Sequence, residues 1–318
     1  MPAYNRADFL AEQLESLLAQ SRRPDELIVG DDCSTDQTVE IIRAFAARAP
    51  FPVHWYVNER NQGYNRNLEH AIGLCSGDVI VLCDDDDVCL PDKLRVTERE
   101  FLGSPSTGLM VSNSALVDEK LNPLGVTLWG TTRLPARKVI LAEPICTLAK
   151  HFMANGHVIS FRASLKPYIL PFPPKFPSHI FCDIWIALVL ASIANVICIP
   201  DPLVLHRLHS GQIAGVQTLV LSGERVKNIR SGEREKITRF VPLVEEVISR
   251  VAERSDSLVA RRNLKTLTSW AAHLKMQSEL PAPRLSRVLS IASALLRGSY
   301  HRYSRGFLTA ARDLLILA

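Results

Sequence analysis

The chain has 318 residues, 47% of them hydrophobic, and a formal net charge of +4. That length and apolar fraction suffice for a full α/β core with an appended subdomain, and they exclude a disordered or fibrous chain. The charge is unevenly spread: Val251 to Ala318 holds eleven Lys/Arg against four Asp/Glu, so the C-terminal end is a candidate surface for anionic partners.

Met1 to Asn5 reads as the turn after a strand, so the pattern predicts a first strand lying outside the sequence, with the start assigned too late. Phe9, Leu10, Leu14, Leu17 and Leu18 fall on one stripe and predict a helix over Asp8 to Ala19. Leu27 to Val29 predicts a strand cut off by Gly30-Asp31-Asp32. Ser34 with Gln37 is a capping-box signal, and Val39, Ile41, Ile42 and Phe45 continue as a helix. Val53 to Val57 predicts a strand and Tyr64 to Leu74 a helix. Val79 to Leu82 is a continuous apolar run, as in a parallel strand buried on both faces, and it leads into Asp84-Asp85-Asp86-Asp87. Pro91 suits the first turn of the next helix. Residues 108 to 130 read as strand and hairpin, with Asn122-Pro123-Leu124-Gly125 as turn. Pro171 to Pro177 reads as a loop, and Asp183 follows it at the start of an apolar helix. The run Ile184 to Pro200 is too short, and too interrupted by Ser192 and Asn195, for a bilayer span of about 20 residues; it reads as a core helix and a core strand. Beyond about Gly215 the segments are polar, basic and helix-periodic.

The seven cysteines, Cys33, Cys75, Cys83, Cys89, Cys146, Cys182 and Cys198, show no CxxC or Cys/His zinc spacing. They read as buried free thiols in a reducing cytosol, and no signal peptide is visible at the start. A cytoplasmic protein, or one peripheral on the inner face of the plasma membrane, is the expectation.

The chemistry concentrates just past the ends of two predicted parallel strands: Asp31 and Asp32 after one, Asp84 to Asp87 after the other. In open α/β sheets ligands bind outside the carboxyl ends of the strands, so both groups are expected at one crevice. Carboxylates gathered there repel one another unless a cation sits among them. Oxygen-only ligation points to Mg²⁺ or Mn²⁺ and to a metal-bound diphosphate. The bland alternative for an Asp run is a solvated loop. A calcium loop of the EF-hand kind is excluded, because counted from Asp84 the sixth position is Cys89 and the twelfth Arg95.

Several motifs stand in register over the first 95 residues: Pro2-Ala3-Tyr4-Asn5, Asp31 to Asp36, Asn61-Gln62-Gly63 with Arg66-Asn67, Ser76-Gly77-Asp78, Asp84 to Val88, and Pro91 to Leu94. Together they resemble family 2 glycosyltransferases. Asp183-Ile184-Trp185, Pro202 to His209 and Ser299 to Gly306 are similar to the bacterial rhamnosyltransferase-like branch. The resemblance implies a GT-A fold: an α/β, Rossmann-like mixed sheet flanked by helices, with a C-terminal helical extension. Its expected limits are a catalytic domain over 1–215, comprising a nucleotide-sugar-binding half (1–115) and an acceptor-side half (116–215), and the extension over 216–318. It implies transfer of a sugar from a nucleotide-diphosphate donor to an acceptor hydroxyl, with inversion, in cell-envelope polysaccharide or glycolipid synthesis. Asp31 and Asp32 would meet base and ribose, with Pro2, Ala3 and Tyr4 lining the same pocket and Asp85 and Arg66 in the donor-binding set. Asp84 would lean toward ribose or metal, Asp86 would hold the cation, and His209 is a candidate extra ligand. Asp183 would be the general base.

Other readings accompany these. Asp183 also fits a helix cap, Arg66 an exposed ion pair, and His209 an ordinary loop histidine. The resemblance departs at Cys89, where an aromatic is usual, and at Asp85, where a polar amide is usual, so sugar specificity does not transfer. Leu285, Val288, Leu289, Ala292, Leu295 and Leu296 at helical spacing, flanked by Arg284, Arg287 and Arg297, fit a peripheral helix on anionic lipid, or equally a helix packed on the catalytic domain. Nucleic acid is not an expected partner, since stacking aromatics do not interleave the basic residues. The competing functions are a haloacid-dehalogenase-type phosphotransferase with Asp84 as nucleophile, and a non-catalytic nucleotide-sugar binder. A dehydrogenase is disfavoured by the missing G-x-G-x-x-G turn.

Overall fold

A computed structural model describes residues 1–132, 139–151, 155–174, 182–211, 229–281 and 283–316. The first three strands, β1 (Pro2–Ala3), β2 (Leu27–Asp31) and β3 (Val53–Val57), form a parallel sheet in the order β1-β2-β3, with Pro2 opposite Gly30 and Leu27 opposite Val53. Helices α1 (Ala7–Leu18), α2 (Thr38–Ala46) and α3 (Tyr64–Leu74) connect and cover it. The apolar stripe of α1, Leu10, Leu14 and Leu17, is buried with Val29 of β2 and with Ile42 and Phe45 of α2.

The larger sheet combines β4 (Val79–Val81), β5 (Val88–Cys89), β6 (Thr107–Val117), β9 (Ile159–Arg162) and β10 (Asn195–Arg207) in the order β4-β9-β6-β10-β5. Strand β7 (Pro123–Thr127) pairs with β6, and β8 (Val139–Ile140) with β10. The central β6–β10 pair is parallel, whereas β4–β9, β6–β9 and β10–β5 are antiparallel. Helix α4 (Lys93–Gly103) leads from β5 to β6; α5 (Leu128–Thr132), α6 (Pro144–His151) and α7 (Lys166–Ile169) are short, and α8 (Cys182–Ile193) precedes β10.

Helices α9 (Ile229–Arg254), α10 (Leu258–Ser278), α11 (Arg284–Leu296), α12 (Ser299–Tyr303) and α13 (Phe307–Ile316) complete the described chain. They are continuous with the larger sheet and α8: Val247 and Trp270 are buried in one core with Phe161, Trp185 and Val189. Burying each such side chain contributes about 1.5–3 kcal/mol. Arg250 of α9 stacks over the Trp185 ring at 4.9 Å and donates to the carbonyls of Tyr168 and Pro171, so the helical region braces the approach to α8. No described helix is long and apolar enough to cross a membrane.

The structure corrects several sequence expectations. Pro2–Ala3, expected as a turn, is itself a strand, because its backbone finds partners on β2 and the Met1 ammonium donates to the Ile28 carbonyl at 2.9 Å. Strand β4 is not in a parallel ladder: its partner is antiparallel β9, and an apolar run reports burial, not strand direction. Ser34 does not cap α2, which starts at Thr38; its hydroxyl is taken by Asp31 and Asn5 instead. Pro91 stands two residues before α4. Helix and strand at Tyr64–Leu74 and Val53–Val57 match their sequence patterns, and the hairpin expected over 108–130 is formed by β6 and β7, but its turn is Asp118–Asn122, because Pro123 to Gly125 already pair in β7. The expected boundary near residue 215 and the end of the Pro171–Pro177 loop lie outside the described residues. All seven cysteines are free, five of them buried.

Candidate active site

Strand β2 ends at Asp31, which puts Asp32 at its carboxyl end, and β4 ends three residues before Asp84. Asp32 and Asp84, Asp85 and Asp86 line one cavity of about 430 Å³, together with Pro2, Ala3 and Tyr4. The remaining lining comes from later in the chain: Asn155, Gly156 and His157, then Asp183 on α8, then His206 and Gly211 at the end of β10.

Hydrogen bonds fix the two acidic groups in different ways. Asp32 accepts from the Asn58 side chain and from the amides of Gln62 and Gly63, each at 2.8 Å, and so holds the loop that starts α3. Gly63 sits at φ +84°, a conformation natural to glycine, which turns its N–H onto that carboxylate. The acidic loop after β4 is braced from beneath. Gln13 of α1 donates to the Asp84 carbonyl at 2.9 Å, and the Arg207 Nε to the Asp86 carbonyl at 2.8 Å. Buried Lys93 holds the carbonyls of Leu82 (3.2 Å) and His157 (2.9 Å). Asp87 points inward, fully buried, against the Arg207 amide and His206 Nδ1, both at 3.0 Å.

On the cavity side, the Tyr4 amide donates to Asp85 (3.1 Å) and the Tyr64 hydroxyl to Asp84 (3.2 Å). Burial, with the neighbouring Asp86 charge, pushes Asp85 well above the usual carboxylate range. Burial also opposes ionisation of Asp87, yet His206 and His157 override it and hold Asp87 down at about 2. For His206 burial disfavours the charge and Asp87 overrides it, so its pKa is raised. Asp183 accepts from the Ile184 amide at 2.7 Å and the Gly156 amide at 3.1 Å. Burial pushes Asp183 up to about 7, with the Asp84 charge adding to the effect and the two amides opposing it. A carboxyl poised near neutrality in a cavity wall is suited to proton transfer.

The cluster collects positive charge, which tests its fitness for a cation. The Arg6 Nε lies 3.4 Å from Asp85 and 3.5 Å from Asp86, buried without a hydrogen-bond partner. His209 Nε2 approaches Asp86 at 3.0 Å, while its Nδ1 accepts from the Gly211 amide. Two carboxylates and an imidazole match Mg²⁺ or Mn²⁺ in donor chemistry. A deeper set, Asp87, His157 and His206, presents ligand atoms within 4.8 Å of one another, and the buried His206 Nε2 has no hydrogen-bond partner.

Of the residues singled out from sequence, Pro2, Ala3, Tyr4, Asp32, Asp84, Asp85, Asp86 and Asp183 share this cavity. Asp31 is outside its lining, fully buried, with both oxygens taken by Ser34. Arg66 is also outside it and pairs with Glu69 one helical turn on. His209 stands behind Asp86, in contact with it and with the Phe9 ring at 4.5 Å. Asp183 is inside the first turn of α8, which starts at Cys182. Sequence reasoning missed Arg6, Tyr64, Asn67, Gly156, His157 and His206. Arg6 and Tyr64 directly follow quoted motifs and His206 lies within one, whereas His157 sits in an irregular turn with no local signal.

The model of the glycosyl transferase family 2 matches residues 1–113, both acidic strand ends included. The succinoglycan biosynthesis protein ExoO of Rhizobium meliloti is 38% identical over 94 residues, 29% of this chain and 26% of its own. The chain spans about a third of the length of EpsE of Bacillus subtilis, to which it is 37% identical over 95 residues. Among solved structures, S. aureus TarS 1–349 in complex with UDP-GlcNAc superposes over 92% of this chain and 79% of its own, with a TM-score of 0.61 at 16% identity. The mannosyltransferase PcManGT from Pyrobaculum calidifontis, in complex with GDP-Man and Mn²⁺, gives a TM-score of 0.52 at 15% identity over 99% of this chain and 83% of its own. Residues 1–113 thus match the glycosyl transferase family 2 model, and the described chain carries the GT-A fold of the structures it superposes on.

Proposed function

We propose that the chain transfers a sugar from a nucleotide-diphosphate donor to an acceptor hydroxyl with inversion at the anomeric carbon. The observation that carries this reading is the meeting of Asp32 with Asp84, Asp85 and Asp86 in one cavity that also contains Asp183. Asp32 and the backbone of Pro2 to Tyr4 hold the nucleoside, and Asp84 and Asp85 the ribose and diphosphate side. Arg6, between Asp85 and Asp86, offers its guanidinium to the same diphosphate. Asp84, Asp86 and His209 would hold Mg²⁺ or Mn²⁺, which supplies charge neutralisation to the departing diphosphate. Asp183 takes the proton from the acceptor hydroxyl as its oxygen attacks the anomeric carbon and the nucleoside diphosphate leaves. With Asp183 acting as base on the acceptor, the transfer is a single displacement, hence inversion.

The sugar-nucleotide complexes of the two structural neighbours support the donor class, and the Mn²⁺ of one supports the ion. The name of the Rhizobium relative supports polysaccharide synthesis. The acceptor is then a glycan or glycolipid of the cell envelope, in the manner of the rhamnosyltransferase-like branch, met on the cytoplasmic side of the membrane. A phosphotransferase built on Asp84 leaves the Asp32 loop and the cavity shared with Asp183 without a role. Thermal shift with Mn²⁺ and a panel of UDP-, dTDP- and GDP-sugars tests the proposal: a true donor raises Tm only with the ion present. No stabilisation by any donor would overturn it.

A further inference from the structure

Helices α11 and α13 each carry two apolar stripes. The inner ones, Ile291 and Ala294 on α11 and Ala310 on α13, close around Tyr300 in a small cluster. The outer ones face solvent: Leu285, Leu289 and Leu296 on α11 are 74%, 63% and 90% exposed, and Phe307, Leu308 and Leu315 on α13 are 69%, 74% and 74% exposed. Their spacing, i, i+4, i+11 on α11 and i, i+1, i+8 on α13, keeps each set on one side of its helix. Isolated exposed leucines are ordinary, but six large exposed side chains concentrated on two adjacent helices point to an interaction surface.

Charge identifies the occupant. From Leu280 to Ala318 there are six arginines and one acid, Asp313. That acid is buried and accepts from Gln277 (2.8 Å) and Tyr300 (2.9 Å), so it presents no negative charge outward. Arg287 is also buried, its Nε on the Pro281 carbonyl, whereas Arg297 and Arg305 are exposed at the ends of the two stripes. Among the described residues of α11 and α13 the face is therefore apolar with a cationic rim and no exposed acid. A second copy would bring the same positive charge against it; an anionic phospholipid surface brings acyl chains for the leucines and phosphates for the arginines. We propose that this face of α11 and α13 is a peripheral docking surface for anionic bilayers. The reading of the catalytic site as one that serves an envelope acceptor gives the docking its purpose, but the surface is argued from its own residues.

The test is co-sedimentation of the full chain with vesicles of phosphatidylcholine alone or with added phosphatidylglycerol. The expected result is binding to the mixed vesicles, weakened at least tenfold in the Leu289→Glu/Leu308→Glu double variant. Arg297→Glu/Arg305→Glu should remove the preference for anionic vesicles, and salt should have the same effect on the wild type. All these positions are solvent-facing, so the variants should keep the wild-type circular dichroism and the donor-induced thermal shift; that shift separates failure here from failure of the catalytic proposal. A wild-type chain that stays in the supernatant with both vesicles, or one whose binding survives both double variants, overturns the proposal. So does light scattering that shows a dimer broken by Leu289→Glu/Leu308→Glu without vesicle binding.

Discussion

Replacing Asp183 by Asn is the most searching perturbation of the catalytic reading, because the structure says what it changes besides the base. Each oxygen of Asp183 accepts one amide, Ile184 at 2.7 Å and Gly156 at 3.1 Å. Asparagine keeps one acceptor, so the longer bond to Gly156 is lost and two donors face each other, a cost of about 1–3 kcal/mol. Against that stands the penalty on the wild-type carboxylate. A folded-state pKa of about 7, above the ordinary 3.8, means the native state holds this proton more tightly than the unfolded state. The wild type therefore loses stability as pH rises from about 4 to about 7, by at most about 4 kcal/mol before screening. The variant does not, so its stability should approach or pass that of the wild type above pH 7. Activity should fall about 10²- to 10⁴-fold in kcat with donor affinity unchanged. The assay is nucleoside diphosphate release from a stabilising donor, across pH 5 to 9, beside calorimetric binding of the same donor. In the wild type the rate should rise with pH through the Asp183 titration, displaced below 7 when a dication sits beside Asp84. A variant that turns donor over within tenfold of the wild type while binding it normally refutes Asp183 as the base; absence of turnover in both leaves a nucleotide-sugar binder.

Gly156→Ala puts a Cβ 2.9 Å from the Tyr64 hydroxyl and 3.2 Å from an Asp84 oxygen, so donor affinity measured with Mn²⁺ should drop roughly tenfold, the ~1.4 kcal/mol of a broken site hydrogen bond, with folding retained. Gly30→Ala drives a Cβ into the Tyr56 hydroxyl and the Asn67 side chain; it should lower Tm sharply or prevent soluble expression. Lys93→Met strips a cationic donor from the buried carbonyls of Leu82 and His157 and should cost about 2–4 kcal/mol in urea unfolding. Chelation by EDTA should abolish the donor-induced thermal shift and leave the Tm of the free chain nearly unchanged, since the Arg6 guanidinium already stands between Asp85 and Asp86 without the ion.

The parts of the site that are legible in the sequence are those whose signal is local. An acid placed directly after an apolar strand reads as a strand-end ligand wherever the strand goes, which is why Asp32 and Asp84 to Asp86 could be grouped without coordinates. What the pattern does not carry is direction and partner. Val79 to Val81 reads the same in a parallel or an antiparallel ladder, and its partner β9 lies some eighty residues on. Asp31 and Asp32 are adjacent and chemically identical, yet strand alternation turns one into the Ser34 turn and the other into the cavity. Sequence could not divide their labour, because Ser34 signals a capping box as plainly as it signals a partner for Asp31. His157 has no pattern at all: it matters because β9 brings the preceding turn beneath Asp87.

The division of the cavity between early and late residues also explains where the family match ends. Residues 1–113 supply the acids, the loop around Asp32 and the Arg6 guanidinium between Asp85 and Asp86, and residues 206–209 add partners from beyond that match: His206 on Asp87, His209 on Asp86 and Arg207 on the Asp86 carbonyl. An acidic loop of four consecutive aspartates is self-repelling unless something distant neutralises it, so β10 had to be placed against β5 for the loop to exist in this form. The pairing sets imidazoles against the Asp86 and Asp87 carboxylates, and the Arg207 guanidinium against the Asp86 carbonyl and the Glu12 carboxylate. Removing the guanidinium of Arg207, which bonds the Asp86 carbonyl from 121 residues away, should therefore disorder the acidic loop as surely as a change within it.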